Sequence, residues 1–262
     1  MAKSTSTPQQ APFLTIVIPA YNEERRILPT LHAIVSYLGD QSYSWNVLVV
    51  DDGSTDNTAA LVQEFTTSYP QVSLLSIPHR GKGWAVRSGM LHTNAEYRFL
   101  CDADLSMPIN QLSRFLPPQI TQYDVVIGSR ESPGARRLNE PQRRHLLGRL
   151  YNYITRVMGV RNISDTQCGF KCFRGLVADT LFSLQRIPGF AFDVEVLFLA
   201  QRMNMRLLEV PIDWYYEAES KVRPLIDGLG MIGEILGIRW RYFRGRYGLK
   251  AHVDKDRPPG QP

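Results

Sequence analysis

Short apolar runs alternate with helix-forming stretches through the first half of this chain, and most of the runs stop at a cluster of turn residues or carboxylates. Residues 14–18 end at Pro19, and residues 47–50 end at Asp51 and Asp52. The same pattern recurs at 72–77, 97–101 and 125–127. Between them, 28–38, 58–69 and 82–93 have the spacing of helices, the second with Asn57 expected as its N-cap and with Ala60, Leu61, Val62 and Phe65 partly on one face. Apolar strands joined through helices of this length cannot be hairpins. They predict β-α-β units, hence an α/β fold with a mostly parallel central sheet and flanking helices. In such sheets ligands bind beyond the carboxyl ends of the strands, which is where the acidic clusters fall.

The second half is less regular. Residues 129–144 are polar, rich in arginine and broken by Pro133, Gly134 and Pro141, which predicts a long mobile loop. A helix is expected over 144–158, an irregular stretch over 165–171, helices near 175–184 and 193–204, a strand over 207–214 and a last helix over 225–243. There is no internal repeat and no linker between two complete folds, and 262 residues suffice for one core. The expected organisation is a flexible tail at 1–12, a single domain at 13–222, an amphipathic basic helix at 223–247 and a flexible tail at 248–262.

Charge is unevenly placed. The net value is +5, yet residues 129–161 carry +6 and 221–250 carry +5, so the rest of the chain is at −6. An acidic body with two cationic segments suits a polyanion or an anionic surface. The three cysteines, Cys101, Cys168 and Cys172, form no scaffold spacing and have no histidine close by in sequence, which points to a reduced compartment and away from a zinc site. Residues 1–12 contain no apolar core of a signal peptide, and no apolar run reaches the length needed to span a bilayer.

Four strand ends carry the chemistry. After residues 97–101 comes Asp102-Ala103-Asp104, and on an extended backbone residues i and i+2 share a face, so the carboxylates are expected to converge. Paired hard oxygen ligands suit Mg²⁺ or Mn²⁺, which in turn holds a diphosphate. Asp51-Asp52-Gly53-Ser54 ends an earlier strand with carboxylates able to accept hydrogen bonds from a base or ribose. Pro19-Ala20-Tyr21-Asn22-Glu23-Glu24 offers an aromatic face and further acids. Gly81-Lys82-Gly83 opens a helix with a cation and a flexible backbone, a phosphate-facing element.

This order of motifs (PAYNE, VVDDGSTD, RGKGWAVRSGM, CDADLSMP, DTQCGFK) resembles the inverting nucleotide-sugar glycosyltransferases of family two, from about Leu14 to Lys221. GKGWAVRSGML, SDTQCGFKCF and FAFDVEVLFLA are similar to the dolichyl-phosphate (polyprenyl-phosphate) β-glucosyltransferase branch. The resemblance implies a GT-A fold and transfer of glucose from UDP-glucose to a polyprenyl phosphate, with inversion. It places Pro19, Tyr21, Glu23 and Asp51 or Asp52 on the nucleoside, Asp102 and Asp104 on the metal and diphosphate, and Lys82 beside the leaving group. Arg130 and Arg144 match arginines that grip phosphates in mannosyl-transferring relatives, Arg137 lies in the same run, and Lys221 matches a basic position in a late turn. Asp165 falls in the acceptor-side motif, where it would orient arginines or the acceptor, and Asp193 is a weaker candidate. Asp104, Arg130, Arg144 and Asp165 form the expected catalytic group.

Two positions depart from the relatives' pattern. Ser106 stands where the mannosyl-transferring enzymes have a metal-ligating glutamine, and Leu236 stands where processive synthases have the glutamine of Q-x-x-R-W. A lipid phosphate is already ionised, so cations rather than a general base are needed to bring it to the donor, and arginine's planar fork suits that task. The last helix, with Leu225, Ile226, Leu229, Ile232, Ile235 and Leu236 followed by Arg239, Trp240, Arg241, Tyr242, Phe243 and Arg244, has the composition of an interfacial helix as well as that of a core helix with a basic end. The expected location is the cytosolic face of a membrane, peripherally bound. The alternatives are mannosyl transfer from GDP-mannose on the same scaffold, a catalytically inactive sugar-nucleotide binder, and a basic nucleic-acid-binding protein. No base-reading module supports the last, so no nucleic-acid partner is expected.

Overall fold

The computed structural model describes residues 11–139, 160–216 and 224–249. Seven strands form the main sheet in the order β3-β2-β1-β4-β7-β5-β8: β1 Leu14–Ala20, β2 Trp45–Asp51, β3 Val72–Ser76, β4 Tyr97–Leu100, β5 Val125–Ser129, β7 Lys171–Arg174 and β8 Leu207–Pro211. All pairings are parallel except those of β7, which runs antiparallel to both β4 and β5. The chain winds outward from β1 to β2 and β3, then returns to place β4 on the other side of β1. The carboxyl ends of β1, β2 and β4 therefore meet at a switch point.

Alternation along each strand assigns the two faces. Ile16, Ile18, Val47 and Val49 face α1 (Ile27–Gly39), α2 (Thr58–Ser68) and a 3₁₀ segment (Ile109–Phe115). There Phe99, Phe115 and Phe170 meet edge to face, with centroids 4.6–5.6 Å apart. Val17, Leu48 and Val50 face α3 (Lys82–His92), α4 (Gly175–Leu184) and α5 (Phe192–Arg202). α5 is buried continuously from Phe192 to Ala200, as expected of a helix that also packs against the last helix, α6 (Pro224–Phe243). Among the described residues no helix is long and apolar enough to cross a membrane.

Four expectations change. The stretch read as irregular at 165–171 leads into a strand, β7, because Cys172 and Phe173 each bury a side chain on opposite faces. The strand expected over 207–214 is two: after Pro211 the chain leaves the main sheet, and β9 (Asp213–Tyr215) pairs instead with β6 (Arg136–Leu138). That pairing also corrects the mobile loop. Residues 136–138 are held by a ladder, and Arg136 is ion-paired with Asp213. Asn57 holds the N-cap position of α2 as expected but makes no side-chain cap bond; its backbone and side-chain N–H groups donate to Glu24, and the Asp56 carboxylate accepts the Thr58 N–H at 2.9 Å instead. The helix expected over 144–158 lies outside the described residues.

α3 sits close on the sheet because residue 89 is glycine. A Cβ there would fall 2.5 Å from Val17 Cγ1 and 2.7 Å from Val50 Cγ2. This close approach fixes how far Lys82 reaches past the sheet edge. Gly89→Ala gains about 1 kcal/mol of helix propensity, yet overpacking of this kind costs about 1–3 kcal/mol. A net loss is expected, read as a lower urea midpoint with an unchanged slope.

Candidate active site

At the switch point the ladder extends one residue past each strand: Asp52 N–H donates to Ala20 O at 2.8 Å and Cys101 N–H to Val17 O at 3.0 Å. Tyr21 follows β1, with Pro19 in that strand's last turn of pleat. Its ring stacks on His79 at 4.1 Å between centroids and 20° between planes. Asn22 adopts φ 54°, a conformation asparagine tolerates, and its side chain accepts the Thr55 N–H at 2.7 Å. Glu23 pairs with Arg26 at 2.6 Å.

The two acids after β2 differ. Asp52 is committed to its neighbours: its oxygens accept the Arg80 and Gly81 N–H groups at 3.0 and 2.9 Å, and His79 Nδ1 lies 2.8 Å from one of them. It therefore shapes the loop leading to Lys82. Asp51 accepts Ser54 N–H at 3.2 Å on one oxygen.

Asp102 is the centre of the edge. Its Oδ1 is 2.7 Å from Lys82 Nζ. On its other side lies Gly169, where a Cβ would be 1.9 Å from Oδ2, so the carboxylate packs against bare backbone. Asp102 lies near enough to act on the charge of Asp104, but the two do not stand on an extended backbone as expected. The segment turns: Leu105 takes φ 45°, and Ser106 N–H donates to Asp104 Oδ1 at 3.0 Å. Left-handed backbone at a leucine is strained and is held here by that turn. Burial works against the charge on Asp102, but Lys82, with Lys171 and Arg130 behind it, holds its carboxyl below the usual range. Burial and the nearby Asp102 push Asp104 up. Burial likewise opposes the Lys82 ammonium, and Asp102, Asp193 and Asp104 outweigh it, pushing Lys82 up to about 12.

The arginine side is built on Asp165, which is fully buried. It accepts from Arg130 Nε and backbone N–H at 2.6 and 3.0 Å through one oxygen and from the guanidinium at 2.8 Å through the other. Burial opposes this charge, but Arg130 brings its pKa down to about 2. Arg130 also lies over Trp214 at 5.5 Å, as Arg137 does at 6.0 Å. Arg137 donates to the Arg130 carbonyl and pairs with Glu131. Arg144 and Lys221 lie outside the described residues. Asp193 sits at the start of α5, where it meets the buried Lys171 at 2.6 Å.

Several of these partners carried weak sequence signals. Lys171 stands beside the apolar Cys172 and Phe173 in a buried part of β7, and Glu209, which accepts the Ser164 and Asp165 N–H groups at 2.8–2.9 Å, interrupts the apolar run of β8. A charge in a buried strand demands a partner, and that was the available clue. Trp214 and His79 had none; only tertiary proximity reveals them.

A divalent cation fits the donor set at Asp102 and Asp104. Both supply hard oxygens, and among the described residues no third His, Cys, Asp or Glu joins them. Two carboxylates with the remaining positions left to phosphate and water is the usual arrangement for Mg²⁺ on a nucleotide.

Comparison with known proteins identifies the family and the fold. The Glycosyl transferase family 2 profile matches residues 15–182. Dolichyl-phosphate beta-glucosyltransferase ALG5C of Trichomonas vaginalis is 37% identical over 92% of this chain and 75% of its own length. The dolichyl-phosphate beta-glucosyltransferase of Saccharomyces cerevisiae is 33% identical over 90% and 76%, and that of Homo sapiens 31% over 90% and 78%. Among solved structures, glucosyl-3-phosphoglycerate synthase from Mycobacterium tuberculosis superposes with a TM-score of 0.62 at 21% identity, covering 91% of this chain and 81% of that one. Mannosyl-3-phosphoglycerate synthase from Rubrobacter xylanophilus gives 0.64 at 15%, covering 96% and 79%. The fold is the GT-A fold of the nucleotide-sugar glycosyltransferases. The chain belongs to glycosyl transferase family 2, and within it to the dolichyl-phosphate β-glucosyltransferase family.

The Asp165–Arg130 contact sets an acid limit on stability. A carboxyl held at about 2 in the fold against 3.8 when free adds stability that is complete above about pH 4 and is lost as pH falls toward 2, worth roughly 2 kcal/mol. Asp165→Asn is expected to lower unfolding free energy at pH 7 by about 2–4 kcal/mol, because Arg130 loses its buried partner. It should also flatten the decline in stability below pH 4, measured by denaturant titration across pH.

Proposed function

We propose that the protein transfers glucose from UDP-glucose to a dolichyl-type polyprenyl phosphate, inverting the anomeric carbon and releasing UDP. The observation that carries this is the carboxylate pair Asp102/Asp104 at the carboxyl edge of a parallel sheet, with Lys82 on Asp102 and Arg130 near enough to act on its charge. Such a site receives two phosphate-bearing substrates and has a cation for each. The relatives' shared name, dolichyl-phosphate beta-glucosyltransferase, supplies the acceptor and the sugar. The Mycobacterium tuberculosis structure with Mn²⁺, UDP-glucose and phosphoglyceric acid supports the donor and the metal.

In this assignment the stacked Tyr21 and His79 rings border the base. Asp51, with acceptor capacity left after Ser54, takes a donor from uracil or ribose, while Glu23 and Pro19 complete that wall. Asp52 acts at one remove, by holding the loop before Lys82. Asp102 and Asp104 would hold a divalent cation, Mg²⁺ or Mn²⁺, which would supply positive charge to the diphosphate of the leaving UDP. Lys82 adds a second positive charge to that leaving group. On the acceptor side, Asp165 fixes the Arg130 fork, Trp214 backs it, and Arg137 lies beside it; Arg144 and Lys221 are assigned there by motif. No side chain has to remove a proton, since the attacking phosphate oxygen is already ionised. The residues orient it in line with C1.

A lipid acceptor requires a membrane surface, and α6 presents a stripe for one. Leu236 is 55% exposed, Trp240 47% and Phe243 77%. They fall at i, i+4 and i+7 on one helix face. Exposed Arg239, Arg244 and Arg246 flank them, and Arg244 and Arg246 lie over the Trp240 ring. Aromatic, aliphatic and basic residues in this arrangement suit peripheral binding to an anionic leaflet, on the cytosolic face where nucleotide sugars are found.

The test of the reaction is a donor panel with purified protein, Mg²⁺ or Mn²⁺ and a short polyprenyl phosphate. Lipid-linked glucose should form from UDP-glucose and not lipid-linked mannose from GDP-mannose, and Asp104→Asn should abolish it. Mannosyl transfer alone would overturn the donor, and free sugar without lipid product would overturn the acceptor. For the surface, wild type should co-sediment with anionic vesicles, and a Leu236/Trp240/Phe243→Ser variant should bind them at least about tenfold more weakly while keeping activity on a soluble acceptor. Equal vesicle binding by both would exclude the stripe.

A further inference from the structure

Lys82 has a role in the free protein that its place beside the leaving group does not explain. Its ammonium lies 2.7 Å from Asp102 Oδ1, on one of the two carboxylates that the donor reading assigns to the metal. A divalent cation needs that oxygen at about 2.0–2.2 Å and repels a second cation already there. One partner has to give way.

The carboxylate is the less mobile of the two. Gly169 packs so close that a Cβ there would overlap Asp102 Oδ2, so the acid cannot swing toward that side. Asp104 is tied into its own turn, its Oδ1 accepting the Ser106 N–H at 3.0 Å. The start of α3 is equally fixed. Trp84 N–H donates to Pro188 O at 3.0 Å, Gln185 donates to Gly83 O at 2.8 Å, and a Cβ on Gly83 would meet Ile187 O and Gly189 O at 2.7 Å. What remains free to move is the four-carbon stem of Lys82, pivoting on a helix terminus that stays in place. It requires a new anion to move to, and the nucleotide diphosphate is the anion this edge is built to receive.

We propose that Lys82 is a resident counter-ion of the metal site: it occupies Asp102 until the nucleotide diphosphate draws it away, so that divalent cation and nucleotide bind together and each binds weakly without the other. The inference rests on the donor-site reading given above. It makes the coupling between metal and nucleotide depend on one side chain, and coupling of this kind is reciprocal.

Mn²⁺ affinity, followed by the electron paramagnetic resonance signal of free Mn²⁺, would be measured with and without saturating UDP, and UDP affinity with EDTA, for wild type, Lys82→Met and Lys82→Arg. Wild type should bind Mn²⁺ far more tightly with UDP present. Lys82→Met should bind Mn²⁺ alone about tenfold more tightly than wild type and UDP alone more weakly, so the coupling shrinks by a similar factor. Lys82→Arg, which keeps the charge on Asp102, should resemble wild type. Loss of fold cannot raise one affinity and lower the other. Unchanged or weaker Mn²⁺ binding by a folded Lys82→Met, or wild-type binding indifferent to UDP, would overturn the proposal while leaving the donor site standing. No Mn²⁺ binding in any protein even with UDP would overturn the donor-site reading and this proposal together.

Discussion

Burial opposes the charge on Asp102, and the carboxyl edge of the sheet is arranged to keep it charged. Lys82 touches it, while Lys171 and Arg130 stand behind at longer range. Each of these cations answers in turn to a further acid: Lys171 to Asp193, and Arg130 to Asp165. Alternating signs let several ionised groups share one partly buried edge, where any one alone would be costly. In the proposed reaction the same alternation would let the edge take a diphosphate beside Lys82 and a phosphate beside Arg130.

The antiparallel strand β7 makes that network possible. Inserted between β4 and β5, it runs opposite to its neighbours, so its N-terminal approach, residues 165–170, reaches the edge where their carboxyl ends lie. A fully parallel sheet would have put that approach at the opposite end. Asp165 and Gly169 arrive at Arg130 and Asp102 by this reversal, and Glu209 from β8 secures the turn through the Ser164 and Asp165 N–H groups.

α6 joins the proposed surface stripe to the body of the molecule. Ile235 and Ile238 are buried against the core on the side opposite Leu236, Trp240 and Phe243. Beyond the helix Tyr247 donates to the fully buried Glu195 at 2.5 Å, and Glu195 also accepts the Arg186 and Ile187 N–H groups. That loop is the one packed against Gly83. The last helix and the start of α3 are thereby held in one frame, so the stripe keeps a set orientation to the sheet edge.

The amino-acid sequence alone determined the alternation of strand and helix, the parallel sense of most of the sheet and the strand ends at which Tyr21, Asp51, Lys82 and Asp102 stand. These depend on periodicity and on short local motifs, which are physical properties of neighbouring residues. It did not determine that 171–174 forms a strand, that 136–138 is paired, that the Asp56 rather than the Asn57 side chain bonds at the start of α2, or that the backbone turns between Asp102 and Ser106. Nor did it assign Asp52 to the loop before Lys82, or bring Trp214 and His79 to the site. The Asp56 bond and the turn at Asp102–Ser106 rest on which of several neighbouring polar groups meets its donor, and the others depend on a partner 27 or more residues away. Such choices have no local signature, because the energy of a hydrogen bond or ion pair is set by a distance that exists only once the sheet has closed around it.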